Sequence, residues 1–205
     1  MKISLEKAGK RYIKDWVFKK IDFNFEPNNS YVLLGTNGSG KSTLLRILAG
    51  MQTLSVGNIH YQFQGNNISA EKIFSHISFC APAMELIEEM TLHEFLTFHF
   101  SFKKIKKGWT IEEIIEKMQL KLSQHKLIAD YSSGMKQRVK LAQAFFSDTS
   151  CLMLDEPCSN LDLQGVLLYQ EWLQELTENR LVIIASNDER EYQGVTQSIN
   201  ILEYK

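Results

Sequence analysis

The sequence contains little cysteine, little proline and no long apolar segment, and these shortages argue against several classes of protein. It has three cysteines and three prolines in 205 residues. The cysteines, Cys80, Cys151 and Cys158, form neither a CxxC pair nor an even set, which argues against a disulfide framework or a zinc site. Apolar runs such as 181–185 are far too short to cross a bilayer, and residues 1–10 contain no apolar signal core. We therefore expect a cytosolic chain with reduced thiols.

Charge of either sign is not in excess. The formal net charge is −1, so we expect no basic surface for nucleic acid and no nucleic-acid partner. The five histidines show no HExxH pattern and no cysteine at ligand spacing, which argues against a histidine metal site. With 44% hydrophobic residues, the chain can bury one sizeable core, and we expect one domain over residues 1–205.

Glycine is also scarce, at 11 residues, yet three glycines fall within positions 35–43. These positions are Gly35, Thr36, Asn37, Gly38, Ser39, Gly40, Lys41, Ser42 and Thr43. They fit the pattern GxxxxGK followed by Ser or Thr, between a strand-like apolar run at 31–34 and a helix-like run at 42–49. The glycines let backbone N–H groups turn toward a phosphate, and the helix adds unpaired donors at its first turn. The stretch predicts a nucleotide phosphate site, with Lys41 on the β- and γ-phosphates and Ser42 on Mg²⁺.

A second motif predicts what is done with the phosphate. The apolar run 151–154 ends in Asp155 and Glu156, followed by Pro157. An aspartate at the carboxyl end of a strand beside the phosphate site can hold Mg²⁺ through water, and the adjacent glutamate can orient and deprotonate a water that attacks the γ-phosphate. The alternative is a pair of surface acids in a turn closed by proline. The pair favours hydrolysis over binding alone.

A third motif, YSSGMKQR at 131–138, precedes an amphipathic run at 139–146. Here the chain resembles the ATP-binding cassette (ABC) family, whose signature is conventionally LSGGQ followed by Gln-Arg. Ser132 and Gly134 match that signature, whereas the residues at 131, 133 and 135 depart from its commonest form. Residues 159–162, SNLD, match the D-loop of the family, so the resemblance covers essentially the whole chain.

The resemblance implies an α/β fold, namely a P-loop NTPase core with a mostly parallel sheet, an antiparallel β portion near the N-terminus and an inserted helical subdomain. We expect the nucleotide-binding core at about 1–82 and 131–205 and the helical subdomain at about 83–130. In that subdomain Phe95, Phe98 and Phe102 fall on one helical face. They are either core residues or part of the surface that meets a membrane subunit in this family. The lysine-rich run 103–107 is expected to be a solvated turn, the alternative being a lipid-facing patch.

Two family positions are missing. No glutamine lies between Gln64 and Gln119, so Cys80 and the residues after it occupy the Q-loop position. The last histidine is His125, so Asn187 stands where the family has its switch histidine, after the run 181–185. An asparagine amide can donate a hydrogen bond to a phosphate but gains no charge near neutral pH. We expect Asn187 to replace the histidine in positioning.

The resemblance also implies the ligands, the site residues and the partners. The ligands are ATP and Mg²⁺. The nucleotide-binding residues are Tyr12, the whole of 35–43, Ser132, Gly134 and Asp162; the catalytic residues are Glu156, Lys41 and Asn187; the metal residues are Ser42 and Asp155. Tyr12 would stack on adenine, or be merely structural, while Ser132 and Gly134 would contact the γ-phosphate at the site of a second subunit. Two ATP molecules would then be held between two copies of the chain, or between the chain and a related ATPase subunit.

Three functions follow from these features. The first is the ATPase subunit of an ABC membrane transporter, peripheral on the inner face of the cell membrane and partnered by a separate transmembrane permease. Residues 161–166 look similar to the ATPase of the cytochrome c maturation haem exporter. The second is a soluble ABC-type ATPase, and the third is a slow nucleotide-sensing regulatory module, suggested by the missing glutamine and histidine.

Overall fold

The computed structural model describes residues 1–195 and 197–205. The strands are β1 (Lys2–Tyr12), β2 (Asp15–Phe25), β3 (Ser30–Leu34), β4 (Val56–Phe63), β5 (Asn66–Asn67), β6 (Ile77–Cys80), β7 (Cys151–Asp155), β8 (Leu181–Ala185) and β9 (Gln197–Asn200). The α-helices are α1 (Lys41–Leu48), α2 (Leu92–Phe102), α3 (Ile111–Lys117), α4 (Ser133–Phe145) and α5 (Leu163–Glu175). Across the described ranges, none of the helices has the length and apolar character that a bilayer crossing requires.

The strands form the two sheets that the family resemblance implies. A parallel sheet has the order β6-β7-β8-β3-β9, and a separate antiparallel sheet near the N-terminus has the order β2-β1-β4-β5. The fold class is therefore confirmed. Because parallel strands end on the same edge, the segments that follow β3, β7 and β8 meet at the carboxyl edge of the parallel sheet.

Both faces of the parallel sheet are buried. Val182 and Ile184 of β8 pack into one apolar cluster with α4 and α5, whereas Leu181 and Ile183 pack into another with α1 and the antiparallel sheet. This alternation follows from side chains pointing to opposite faces at successive strand positions. Strands buried on both faces read as continuous apolar runs, which is why 181–185 is recognisable from the sequence.

The segment between β6 and α4 contributes two capped helices. Capping boxes begin α2, from Thr91 and Glu94, and α3, from Thr110 and Glu113. The α2 face that carries the phenylalanines is only partly buried, because Phe95 is 6% exposed, Phe98 43% and Phe102 72%. Leu96 of α2 and Ile114 of α3 belong to the cluster under α4 and α5, so this helical segment shares its core with the parallel sheet.

Candidate functional site

The loop that follows β3 turns directly into α1. Gly40, at φ 109° and ψ 10°, is the N-cap residue and makes no side-chain cap. A Cβ at this position would overlap Val17 Cγ1, so the backbone passes where only glycine fits. The first amides of α1 lack intrahelical acceptors, and the positive end of the helix dipole lies here. The loop is therefore suited to an anion.

Lys41 lies across this loop. Its side chain is buried, and Nζ donates to the carbonyl oxygens of Gly35 at 2.7 Å and Thr36 at 3.3 Å. Burial lowers the pKa of Lys41, and the charges of Glu156 and Asp155 oppose that shift. The hydroxyl of Ser39 is also buried, and the described residues give it no hydrogen-bond partner. A buried cation held only by neutral carbonyls beside an unpaired hydroxyl fits the phosphates of a nucleotide.

The predicted metal residues are brought together from distant parts of the sequence. Ser42 Oγ, in the first turn of α1, donates to Asp155 Oδ1, at the end of β7, across 2.8 Å. Burial raises the pKa of Asp155, whereas the hydrogen bond from Ser42 lowers it. A hydroxyl and a carboxylate are hard oxygen ligands of the kind that Mg²⁺ prefers, with phosphates and waters completing its shell. The donor set therefore fits the ion.

Glu156 lies beside this pair with its carboxylate exposed to solvent. Its backbone is left-handed, at φ 42°, and its N–H donates to the carbonyl oxygen of Ala185 at 2.9 Å, which ties the residue to the end of β8. Such a conformation costs about 1–3 kcal/mol in a non-glycine residue and is common at functional sites. Glu156 and Asn187 line the same cavity of about 280 Å³.

Asn187 follows β8 and reaches the phosphate loop. Its Nδ2 donates to Oδ1 of Asn37 at 3.1 Å, so the amide lies next to a residue of 35–43. At the missing Q-loop position, Cys80 ends β6 and is fully buried, and burial raises the pKa of its thiol to about 12. The thiol is therefore a protonated core side chain, whereas the Asn187 amide is one of the polar groups at this edge.

The signature and D-loop segments pack on each other. Ser132 caps α4 by accepting from the N–H of Met135 at 3.3 Å, and Asp162 caps α5 by accepting from the N–H of Gly165 at 2.8 Å. Arg138 Nη2 donates to Asp162 Oδ1 at 3.2 Å. A Cβ on Gly134 would lie 3.1 Å from the carbonyl oxygen of Asn160, so the two loops approach closely.

The remaining predicted residues lie in three places. No hydrogen bond among the described residues joins Ser132 or Gly134 to 35–43, so within one chain the structure leaves these sets unconnected. Tyr12, at the end of β1, is about half exposed, and its hydroxyl lies within 3.2–3.4 Å of the amide of Gln52. The ring face is near Lys10, whose Nζ lies 5.2 Å from the centroid. Thr43 is half-buried in α1.

One residue of this edge has no signal in the sequence. Glu191 is buried, and its Oε1 accepts from the N–H of Cys158, two residues after Glu156, at 2.6 Å. Burial raises the pKa of Glu191, and the charges of Asp188 and Glu156 add to that shift. Glu191 therefore joins the segment after β8 to the segment after β7. Only the fold reveals this role, because the residue lies in a polar stretch that reads as a surface turn.

The chain is similar to proteins of one family along most of its length. A family model described as ABC transporter matches residues 18–159. An uncharacterized ABC transporter ATP-binding protein of Bacillus subtilis strain 168, YxlF, is 32% identical over 206 residues, which cover 98% of this chain and 68% of that protein. The sulfate/thiosulfate import ATP-binding protein CysA of Mesostigma viride is 30% identical over 205 residues, which cover 97% of this chain and 58% of that protein.

A solved structure has the same fold. A Pyrococcus furiosus chain named as an ABC transporter ATP-binding protein superposes with a TM-score of 0.83, at 23% sequence identity, over 100% of both chains. At this level of identity the likeness concerns the fold alone.

Proposed function

Because the chain belongs to the ABC transporter family of ATP-binding proteins, we propose that it binds and hydrolyses ATP and thereby powers a membrane transporter. The main support for this proposal is the 2.8 Å hydrogen bond from Ser42 Oγ to Asp155 Oδ1, since Glu156 is the next residue in the chain. It joins the phosphate loop to the acidic end of β7, 113 residues apart in sequence. A site for nucleotide storage alone would need the loop but not the exposed carboxylate beside it.

In this proposal the phosphate loop supplies binding. The amides of the first turn of α1 and the ammonium group of Lys41 neutralise the β- and γ-phosphates, and Lys41 exchanges its carbonyl acceptors for phosphate oxygens. Ser42 and Asp155 would hold Mg²⁺, which when bound neutralises the charge that develops on the phosphates. Tyr12 offers an exposed ring that can stack on adenine.

The residues after β7 and β8 supply the chemistry. Glu156 orients a water and accepts its proton as the water attacks the γ-phosphate. Asn187, whose Nδ2 donates to Asn37 of the loop, would donate to the phosphate instead when ATP is bound. Positioning and electrostatics account for most of phosphoryl-transfer catalysis, so an amide can serve where a charged imidazole is absent.

We infer that Ser132, Gly134 and Asp162 act at the nucleotide site of a second subunit. Among the described residues no hydrogen bond joins them to the phosphate loop of their own chain, and this arrangement is compatible with a dimer in which each signature segment completes the site of the other copy. Charge-assisted hydrogen bonds from the Ser132 hydroxyl and the α4 amides to the γ-phosphate would hold the dimer closed, and loss of the phosphate would open it. The exposed Phe98 and Phe102 of α2 supply an apolar surface for a separate transmembrane permease, which would keep the chain at the cytoplasmic face of the membrane.

The test is trapping of the dimer. Glu156→Gln should bind ATP and elute as a dimer in size-exclusion chromatography with ATP and Mg²⁺, because the amide keeps the shape of the carboxylate but cannot accept the proton. Lys41→Ala should not bind ATP, and Glu71→Gln, at an exposed acid outside the site, should behave as the parent. The protein concentration must be the same throughout, since dimerisation depends on it. A Glu156→Gln variant that binds ATP but stays monomeric at high concentration would contradict the dimer.

The slow nucleotide sensor is the second candidate, and the buried Cys80 and the uncharged Asn187 favour it. It predicts ATP binding without measurable phosphate release by the parent protein. Steady-state phosphate release with the permease present separates the two functions, because the transporter subunit must turn over.

A further inference from the structure

A second polar cavity lies at the opposite edge of the parallel sheet from the phosphate loop. It has a volume of about 710 Å³ and is bounded by the segments that precede β6, β7 and β8, together with the segment that follows α2. Its cationic side chains are Lys103, Lys104, Lys106, Lys107 and Arg180. The strands between the two edges are short, so the cavity lies roughly 15 Å from Asp155 along β7 at about 3.3 Å per residue.

Arg180 is the buried cation of this cavity. It is only 5% exposed, and its guanidinium donates to neutral groups: Ser78 Oγ at 2.6 Å, Thr149 Oγ1 at 2.7 Å and the Phe145 carbonyl oxygen at 2.9 Å. The carbonyl acceptor belongs to the C-terminus of α4, whose dipole supplies only about half an elementary charge. The Nε–H has no acceptor among the described residues. The guanidinium is therefore hydrogen-bonded but not neutralised.

Among the described residues, no lysine of the cavity forms an ion pair with a carboxylate. The sequence predicts that the run 103–107 is solvated, but the structure shows that it is only partly so. Lys103 and Lys106 are half-buried, and they donate to the carbonyl oxygens of Ile77 and Leu176, respectively. Burial and the charge of Arg180 lower the pKa of Lys103 to about 8. The same two causes lower the pKa of Lys106, and the charges of Asp148 and Glu178 oppose that shift.

The two carboxylates of the cavity offset this charge only in part. Asp148 and Glu178 line the cavity with the five cations, but neither lies within ion-pair distance of a cation of the described residues. His76 also lines it, and burial lowers the pKa of its imidazole. The five cations outnumber the two carboxylates, and the repulsion among partly buried like charges would be relieved by an anion that enters the cavity.

We propose that this cavity binds a phosphate group, carried by a soluble phosphate compound or by an anionic lipid headgroup. A multiply charged phosphate accepts several charge-assisted hydrogen bonds at once, which matches a cavity with two half-buried ammonium groups and two exposed ones at its mouth. The proposal is independent of ATP hydrolysis, because it depends on the amino edge of the sheet and on none of the residues of the phosphate loop.

The experiment uses inorganic pyrophosphate as the probe, in calorimetric titrations at low ionic strength. All variants carry Lys41→Ala, so that binding at the phosphate loop is suppressed. Lys104→Gln combined with Lys107→Gln removes two exposed charges without disturbing buried groups, and we expect at least about fivefold weaker binding from the lost charge pairs. Lys20→Gln combined with Lys126→Gln is the matched control, since both lysines are exposed and lie outside the cavity.

The source of the phosphate is decided by flotation with vesicles of phosphatidylglycerol and of phosphatidylcholine. Binding to phosphatidylglycerol vesicles that Lys104→Gln with Lys107→Gln abolishes supports a headgroup. Pyrophosphate binding without vesicle binding supports a soluble compound. Equal affinities for the cavity variant and its control, or no pyrophosphate binding once Lys41 is replaced, would overturn the proposal. Tighter binding of poly-glutamate than of pyrophosphate would overturn the assignment to phosphate and indicate an acidic protein segment.

Discussion

Replacing Gly40 with alanine tests whether the phosphate loop needs glycine for the reason that the structure gives. Two effects oppose the new methyl group. At φ 109° and ψ 10° the backbone lies outside the regions that alanine adopts readily, which costs about 1–3 kcal/mol. The Cβ would also overlap Val17 Cγ1 on β2, and overpacking of this kind costs about 1–3 kcal/mol. Together they predict a loss of about 2–6 kcal/mol in the free energy of unfolding.

Gly38→Ala is the matched control within the same loop. Gly38 also has a positive φ, 75°, but a Cβ there meets no atom within 4 Å. Only the backbone cost of about 1–2 kcal/mol applies to it. The free energies come from urea unfolding of the parent and both variants, compared at constant m-value. Gly40→Ala should also weaken ATP binding, because the altered turn moves the first amides of α1 and Lys41.

A third variant separates the two effects at Gly40. In Gly40→Ala with Val17→Ala the overlapping methyl group is gone but the backbone strain persists. A double-mutant cycle should therefore show that Val17→Ala recovers about 1–2 kcal/mol in the Gly40→Ala background. If Gly38→Ala is as damaging as Gly40→Ala, or if Val17→Ala recovers nothing, close packing of β2 on the loop is not what requires glycine at position 40.

Three further predictions follow from the site and the core. Asn187→Ala should lower steady-state phosphate release about 10²- to 10³-fold by removing one phosphate-directed donor, whereas Asn187→His should stay near or above the parent; equal rates for parent and Asn187→Ala would show that the amide has no catalytic role. Burial raises the pKa of Glu191, so the charged carboxylate lowers the free energy of unfolding at pH values above that raised pKa. This loss of stability fades as the pH falls toward 4.5, the ordinary pKa of a glutamate. In urea unfolding Glu191→Gln should therefore gain stability relative to the parent at neutral pH and lose that advantage toward pH 4.5, and a difference that does not change with pH would refute the assignment. Trp172→Ala should cost about 3–5 kcal/mol, because the ring is fully buried against Phe145 and Phe146, while Leu122→Ala, at a residue 99% exposed, should stay within about 0.5 kcal/mol; similar losses for both would contradict the packing.

The carboxyl edge of the sheet could be predicted from the sequence because its parts are short and contiguous. Residues 35–43 contain the glycines that their turn requires, and the apolar runs 31–34 and 151–154 are typical of buried strands. Parallel strands end at the same edge, which is why Ser42, after β3, and Asp155, at the end of β7, meet there. The helical segment was less readable. One face of α2 carries three phenylalanines, yet only Phe95 of the three is a core residue. Periodicity identifies the apolar face of a helix, but it does not show how much of that face the neighbouring elements cover.

The amino edge of the same sheet carries no motif, and its cavity could not be predicted for that reason. Arg180 acquires its partners from the end of α4 and from Ser78 and Thr149, which are 102 and 31 residues away, and none of these neighbours is marked in the sequence. A run of lysines is predicted to be solvated when the residues that surround it in space are unknown. In the fold, Lys103 and Lys106 donate hydrogen bonds to backbone carbonyl oxygens of other segments. The strand order supplies the missing step. Once β6, β7 and β8 are adjacent and parallel, the segments that precede them must converge just as the segments that follow them do, so the charged residues just before these strands are brought together at the amino edge.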